Sequence, residues 1–271
     1  MNAKEILEKN VDLLAADTGC CSRLPSVARL RRAIELVKAL LFPEFFDETV
    51  TEPSMRRYSI GVNLDRLHAI LSEQIACVAD GDADAMALRF IDSLPEMRRV
   101  LLTDVEAVLA NDPAVDNRGE IIFCYPVILA MIHYRAAHTL LKMGIPVIPR
   151  IITEMAHSAT GIDIHPGATI GEYFAIDHGT GVVIGQTCII GNHVTIYQGV
   201  TLGSRNFTFD DAGLPISRPR HPIIEDHVTI YSNASVLGRI TVGHHATIGG
   251  NVWVTENVEP YGKVVQARPP V

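Results

Sequence analysis

The sequence predicts an α+β protein, with an N-terminal α-helical domain over residues 1–150 and a parallel β-helix of hexapeptide repeats over residues 151–271. Two observations carry this prediction. Apolar residues recur at the period of an α-helix in the first part of the chain, and at a six-residue period after residue 160. The composition also supports a buried core, because 48% of the 271 residues are hydrophobic and 20% are charged.

Helix signals mark the first part of the chain. Ser26 is a good N-cap for a helix whose apolar positions begin at Val27. Pro95 opens another helix, and a long apolar helix starts near Pro126 and ends at Gly144. Helical periodicity usually reflects core packing, so the default role of this domain is packing or oligomerisation.

A six-residue repeat fills the second part. Each repeat has one inward aliphatic anchor, often followed by glycine, which suits a short strand and a corner. Three such repeats close one triangular coil of about eighteen residues. The thirteen anchors are Ile164, Ile170, Ile176, Ile184, Ile190, Ile196, Leu202, Ile224, Ile230, Val236, Val242, Ile248 and Val254.

Two interruptions break the repeat. Two extra residues fall beside residues 177–181, and a polar excursion replaces the repeat over residues 203–222. Loops that leave a rigid scaffold often carry binding groups. Both interruptions contain histidine, so we expect the functional residues there.

Charge and cysteine content narrow the class of protein. The net charge is −8, without the clustered basic residues that a nucleic-acid partner requires. The five cysteines form no CxxC pair, and the N-terminus has no apolar signal-peptide core. The longest apolar run, residues 121–132, is shorter than the roughly 20 residues of a membrane span. We therefore expect a cytoplasmic protein with no membrane segment, no metal and no tightly bound cofactor.

Three short segments carry groups suited to acid–base chemistry. They are Asp163-Ile164-His165-Pro166, Asp177-His178-Gly179-Thr180-Gly181 and Arg220-His221-Pro222. Histidine titrates near neutral pH, and His178 is the candidate general base. A carboxylate commonly holds the second nitrogen of such an imidazole. Asp163 precedes His178 by fifteen residues, about one coil, so it is the candidate orienting group, whereas His165 is expected to be structural.

Together with the repeat and the helical part, these segments resemble the serine acetyltransferase family from about residue 60 to residue 260. The resemblance implies a left-handed β-helix, an exception to the usual right-handed crossover. It implies an acyltransferase that uses acetyl-CoA as co-substrate and L-serine as acceptor, giving O-acetyl-L-serine for cysteine biosynthesis. It further implies that Asp163 and His178 form the catalytic pair, that transfer is direct, and that the chain forms a homotrimer, commonly paired into a hexamer.

Serine carries a carboxylate and an ammonium group, so its site needs a cation on one side and acidic groups on the other. Arg220 and His221 are the candidate cations, and Asp177 and Asp112 are the candidate acids. The resemblance implies a serine-binding role for Asp112, although the sequence alone also permits a helix-capping role. Cysteine offers the same ammonium and carboxylate, so L-cysteine is an expected competitive inhibitor.

The pantetheine arm of acetyl-CoA needs small residues at successive coil corners, where it can approach the backbone closely. The candidates are Gly203, Ser204, Ser232, Asn233, Gly249 and Gly250. The resemblance implies that the arm runs between neighbouring β-helices. The sequence departs from the family at Ser204 and Ser232, which replace smaller residues, and in residues 264–270, which replace the usual segment.

The sequence leaves several questions of function and partner open. Many relatives bind O-acetylserine sulfhydrylase through a tail that ends in isoleucine, whereas this sequence ends at Val271, so that complex is an open expectation. Eleven histidines permit a γ-type carbonic anhydrase-like metalloenzyme. The repeat also permits an acetyltransferase acting on a sugar or xenobiotic hydroxyl, or an inactive scaffold. Cys188 could carry the acyl group, but its place in the repeat favours a structural role.

Overall fold

The computed structural model describes residues 2–16, 24–48, 52–206, 210, 213–214, 216 and 218–266. Its first part is helical, and a 3₁₀ turn at Pro53–Met55 precedes the fourth helix. The helices are α1 (Ala3–Ala15), α2 (Val27–Leu41), α3 (Pro43–Phe46), α4 (Arg56–Ile75), α5 (Ala83–Asp92), α6 (Leu94–Asn111), α7 (Arg118–Cys124), α8 (Pro126–Lys142) and α9 (Ile148–Thr160).

The predicted helix boundaries are confirmed where a capping residue sets them. The Ser26 hydroxyl accepts a 3.3 Å hydrogen bond from the Arg29 amide at the start of α2. Pro95 lies in the first turn of α6, and Pro126 is the first residue of α8. The chain leaves α8 through Gly144, whose φ of 82° suits glycine.

The change from helix to strand falls later than the predicted boundary at residue 150. Helix α9 crosses that position, because Ile148, Ile152 and Ala156 repeat at helical spacing and are buried. Gly161 ends this helix in the left-handed conformation, with φ at 71°. The first strand begins at Asp163. Helix α9 therefore leads directly into the first coil.

The second part consists of short parallel strands in three sheets. Sheet 1 contains β1 (Asp163–Ile164), β4 (Val183–Ile184), β7 (Thr201–Gly203), β10 (Ser235–Leu237) and β13 (Trp253–Val254). Sheet 2 contains β2 (Thr169–Ile170), β5 (Ile189–Ile190), β8 (Ile223–Ile224) and β11 (Thr241–Val242). Sheet 3 contains β3 (Ala175–Asp177), β6 (Thr195–Tyr197), β9 (Thr229–Ile230), β12 (Thr247–Ile248) and β14 (Lys263–Val264).

The chain visits the three sheets in turn, so each circuit is one triangular coil. All thirteen predicted anchors are buried and point inward. Matching anchors pair between coils, as Ile176 does with Ile196 and Ile184 with Leu202. The predicted fold class, a helical domain followed by a left-handed parallel β-helix, is confirmed. We name its edges corner 1–2, corner 2–3 and corner 3–1, after the two sheets that each connects.

A column of stacked rings runs along corner 2–3. Neighbouring ring centroids lie 4.3, 4.7, 4.5 and 4.9 Å apart, and every member has a positive φ. The rings belong to Tyr173, His193, His227, His245 and Tyr261. Four residues separate the flanking strands of sheets 2 and 3 in every coil between β2 and β12, which keeps these rings in register.

A buried ion pair fastens the helices to the first coil. Asp104 on α6 is fully buried and receives two hydrogen bonds from Arg135 on α8, at 2.9 and 3.0 Å. The Phe174 amide donates to Asp104, and Arg135 donates to the carbonyl of Gly171. These bonds fix α6 and α8 against the start of sheet 3.

No single described helix is long and apolar enough to cross a membrane. Helices α7 and α8 together reach that length and hydropathy, but the chain bends by 69° between them. Two of the five cysteines, Cys20 and Cys21, lie outside the described residues, as does Val271.

Candidate active site

His178 lies where the predicted two-residue interruption leaves the coil at corner 3–1. It follows β3 directly and adopts a left-handed φ of 57°. The next position, 179, requires a glycine, because a Cβ there would clash with the side chain of Ile162. The His178 side chain is 75% exposed, and its Nε2 lies 4.0 Å from Asp177 Oδ1. The interruption therefore presents an accessible imidazole beside a carboxylate.

A second carboxylate, that of Asp112 in the helical part, lies near His178. Asp112 follows α6, and its Oδ1 accepts a 2.8 Å hydrogen bond from the Ala114 amide. Its Oδ2 accepts a 2.7 Å bond from the Tyr125 hydroxyl. This bond, more than any other contact, lowers the pKa of Asp112, and the nearby His178 lowers it further. Asp112 and Asp177 line one tight cleft with Tyr125, so the structure brings both predicted acids together.

Asp163 lies on the coil neighbouring His178, as predicted, but the expected hydrogen bond between them is absent from the described residues. Its amide bonds to the carbonyl of Val182, which places Asp163 beside the interruption. Its carboxylate instead faces Arg150 on α9, with Nη1 to Oδ1 at 3.4 Å. The guanidinium of Arg150 is thus the nearer partner in this conformation, and the orienting contact with His178 stays a prediction.

Arg220 lies at corner 1–2, at the end of the excursion before β8. Its amide donates to Thr187 Oγ1 at 2.9 Å, and its Nη2 donates to Gln186 Oε1 at 3.1 Å. Its Nε is buried and has no hydrogen-bond partner in the described part of the chain. A guanidinium with an unsatisfied donor suits a carboxylate ligand.

His221 is not the second cation that the sequence analysis predicts. It is 7% exposed, and burial lowers its pKa to about 4, helped by the adjacent positive charge of Arg220. Its Nδ1 accepts from the Thr187 amide at 3.1 Å, so the proton of the neutral ring lies on Nε2. His221 is therefore a neutral N–H donor near pH 7.

The two groups of predicted residues lie at different corners of the same chain. The cleft of Asp112 and Asp177, with His178 beside it, is at corner 3–1, whereas Arg220 and His221 are at corner 1–2. The width of sheet 1 separates them, which for three extended residues is about 10 Å. A single copy therefore does not bring the two groups of predicted residues together.

The predicted acetyl-CoA surface also divides between these corners. Ser232, Asn233, Gly249 and Gly250 lie together at corner 3–1, on the two coils above the Tyr197 coil. Gly203 and Ser204 lie at corner 1–2, where β7 ends. The segment 264–270, which differs from the family, lies only in part within the described residues.

Three side chains that contact or adjoin the predicted site residues were not predicted from the sequence. Tyr125 holds Asp112, Thr187 holds both Arg220 and His221, and Tyr197 lies one coil above Asp177. Of these three, only Tyr197 could have been found from the sequence, by its position in the repeat. Because the anchors before Asp177 and Tyr197 pair, these two residues must be neighbours.

Other candidates have structural explanations. The His165 Nδ1 accepts from the Gly167 amide at 2.9 Å, a local structural contact. Cys188 is 1% exposed, and burial raises the pKa of its thiol to about 12, which disfavours a nucleophilic thiolate. Among the described residues one group, Glu154, His157 and Asp163, is spaced to hold a metal, but Arg150 already pairs with both carboxylates.

Comparison with known proteins identifies the family. No family model matches the chain. A plasmid-encoded serine acetyltransferase of Synechococcus elongatus is 44% identical over 90% of this chain and 82% of its own length. The serine acetyltransferase of Bacillus subtilis is 44% identical over 62% of this chain and 73% of its own. The crystal structure of serine acetyltransferase 1 of Entamoeba histolytica in complex with L-cysteine superposes with a TM-score of 0.78, at 38% identity, over 86% of each chain.

The first relative is similar over most of both chains, and the solved structure shares both the helical part and the β-helix. The protein is therefore an acyltransferase that belongs to the serine acetyltransferase family.

Proposed function

We propose that the chain transfers the acetyl group of acetyl-CoA to the hydroxyl of L-serine, with His178 as general base. The observation that carries this proposal is the cleft at corner 3–1. There an exposed imidazole lies beside two carboxylates, Asp112 and Asp177, from different parts of the chain. Carboxylates bind an ammonium group, and the imidazole can take the proton of a hydroxyl held next to it.

The chemical step is a direct transfer. A serine hydroxyl is a poor nucleophile near neutral pH, so His178 removes its proton as the oxygen attacks the thioester carbonyl. The tetrahedral intermediate then collapses, the carbon–sulfur bond breaks, and His178 returns the proton to the CoA thiolate. No covalent enzyme intermediate is needed, which agrees with the burial of Cys188.

Asp163 has a place in this mechanism if the ring of His178 turns towards it. The ring of His178 is 75% exposed, and Asp163 lies beside the same interruption of the repeat. Protonation of His178 in the transition state creates a cation, which a nearby carboxylate stabilises. We therefore propose that Asp163 leaves Arg150 for His178 in the working complex.

The carboxylate of serine binds the groups at corner 1–2. Arg220 offers a guanidinium with a free Nε–H, and neutral His221 offers an Nε2–H. One positive charge and one neutral donor replace the two cations predicted from the sequence.

The separation of the two corners supports a homotrimer. Serine is too short to span about 10 Å between Arg220 and Asp177 on one copy. A ring of three copies, in which corner 3–1 of one copy faces corner 1–2 of the next, completes each site. The same arrangement joins the two parts of the acetyl-CoA surface, so we propose that acetyl-CoA binds in the groove between copies.

L-cysteine is the proposed inhibitor. The Entamoeba histolytica relative was solved in complex with L-cysteine. Cysteine has the ammonium and carboxylate groups that Asp112, Asp177 and Arg220 would bind in serine. It should therefore compete with serine, and raising the serine concentration should relieve the inhibition.

A thiol-release assay tests the activity. CoA release is measured with acetyl-CoA and L-serine, with a sugar acceptor, and with no acceptor, for the wild type and His178→Ala. Serine-dependent release that falls by about a hundredfold or more in the variant supports the proposal, since that is the usual loss with a general base. Folded wild type without serine-dependent release would contradict it.

A further inference from the structure

We infer that Tyr197 is a third wall of the ammonium site, where its ring contacts the substrate ammonium beside Asp112 and Asp177. This inference rests on the proposed function, and it names a binding residue in addition to the two carboxylates. It follows from the register of sheet 3, the stacking of Tyr197 and the charges that face its ring.

The register places Tyr197 next to Asp177. These residues end β6 and β3, and they are paired neighbours on adjacent parallel strands. Adjacent strands lie about 4.8 Å apart, and paired side chains leave the sheet on the same side. The ring of Tyr197 therefore lies above the carboxylate of Asp177.

Stacking covers one face of the ring. Tyr231, from the following coil, stacks on Tyr197 with ring centroids 5.0 Å apart and an interplanar angle of 20°. Tyr231 covers the face that points towards the later coils. The opposite face points towards the coil of Asp177 and His178, where substrate would bind.

The electrostatic surroundings suit a cation at that face. Tyr197 lies close enough to Asp177 and Asp112 for both carboxylates to raise the pKa of its phenol, although burial raises it more. The phenol is therefore neutral, and its ring keeps an electron-rich face. A cation within about 6 Å of such a face is attracted to it, and most strongly where water is excluded.

The two carboxylates and the ring have different roles. Asp112 is held by Tyr125 and Asp177 by its strand, so both supply charge at fixed positions. The ring of Tyr197 covers the side of the ammonium that they leave open and excludes water there. Serine would therefore be favoured over a hydroxy acid of the same length, which has no cation to offer the ring.

Three variants test the contact by steady-state kinetics: Tyr197→Leu, Tyr197→Phe and Tyr231→Leu. Tyr197→Leu should raise the KM for serine about tenfold and leave the KM for acetyl-CoA within about twofold, because only the ammonium contact is lost. Tyr197→Phe keeps the ring and should stay within about twofold of wild type. Tyr231→Leu is the matched control for the stack and should raise the serine KM less than about threefold.

A graded replacement keeps the test decisive if the leucine variant fails to fold. Phenylalanine analogues with one, two and three ring fluorines at position 197 keep the shape but progressively weaken the negative face. The logarithm of the serine KM should rise steadily with fluorine number.

Each contrary result has a distinct meaning. An unchanged serine KM in folded Tyr197→Leu, equal losses in the leucine and phenylalanine variants, or no trend with fluorine number overturns the ring contact. Equal effects of Tyr197→Leu and Tyr231→Leu assign the loss to packing and also overturn it. A wild type without serine-dependent turnover overturns the proposed function instead.

Discussion

The imidazole of His221 occupies the space that a Cβ on Gly185 would fill. Gly185 follows β4 directly, and its lack of a side chain lets His221 stack onto the coil below. The ring then reaches Thr187, whose amide and hydroxyl lie 3.1 and 2.9 Å from its Nδ1. A glycine with no chemistry of its own thus lets Thr187 set the tautomer of His221, the histidine that we propose binds substrate.

Gly185→Ala should displace His221 and lower kcat/KM for serine at least about tenfold, because a misplaced donor loses its contact with substrate. Gly61→Ala, where a Cβ meets no atom within 4 Å, is the matched control and should retain activity. Steady-state kinetics measure kcat/KM for serine in both variants, and thermal melts show whether each variant is folded. Unchanged kinetics in a folded Gly185→Ala protein would show that the position of His221 is unimportant.

Tyr125→Phe should raise the serine KM about threefold to tenfold, because Asp112 loses the hydrogen bond that holds and stabilises its carboxylate. The kcat should change less, since Tyr125 does not contact the reacting atoms. Tyr58→Phe, at a residue that is 71% exposed, is the control. A serine KM equal to that of wild type would remove Tyr125 from the site.

Acid should weaken the fold through His221. Its folded pKa of about 4 lies below the usual 6.5, so between these values the unfolded chain binds a proton that the folded chain does not. The contribution of His221 to the free energy of unfolding should therefore fall by roughly 2–3 kcal/mol from pH 6.5 to pH 4, and it should not change further below pH 4.

Urea unfolding at pH 7.5 and 4.5 measures this effect. The difference between the two pH values should be smaller in His221→Gln than in wild type, whereas His157→Gln, at a partly exposed helix position, should keep the wild-type difference. The same difference in all three proteins would rule out His221 as the source.

Asp104→Asn should reduce the free energy of unfolding by about 3–5 kcal/mol, because it leaves the Arg135 charge buried beside a neutral group. Asp116→Asn, at an exposed position, should change it by less than about 0.5 kcal/mol. Denaturant titrations measure both values. A loss below about 1 kcal/mol in Asp104→Asn would show that this pair does not fasten the helices to the first coil.

Mixed assemblies test the sharing of sites between copies. His178→Ala and Arg220→Ala chains, each inactive alone, are co-expressed with different tags and purified through both. Every trimer that carries both tags has one interface of three where an intact His178 faces an intact Arg220, so about a third of wild-type activity should return. Mixed assemblies as inactive as the single variants would place each site within one copy.

The sequence predicts the β-helix well because each anchor acts locally. An aliphatic residue every six positions needs no partner to be recognised, and all thirteen anchors are buried. The end of the helical part is harder to predict, because only the cap at Gly161 separates α9 from the first coil.

The site is predicted only in part, because the sequence gives the identity of each residue but not the groups that surround it in the fold. His178 and Asp177 stand out by their interruption of the repeat. The neutral state of His221 depends on burial and on Arg220, and the partner of Asp163 depends on where α9 places Arg150. Neither relationship has a fixed spacing along the chain, so no motif could reveal it.

The ring column along corner 2–3 requires each coil to have the same number of residues at that edge. One inserted residue there would rotate a ring out of the stack and shift every later strand pair by one position. The longer segments of the described chain accordingly fall at the other two edges, beside His178 and before Arg220. New loops can therefore be grafted at those two edges, whereas the edge that carries His193, His227 and His245 must keep its length.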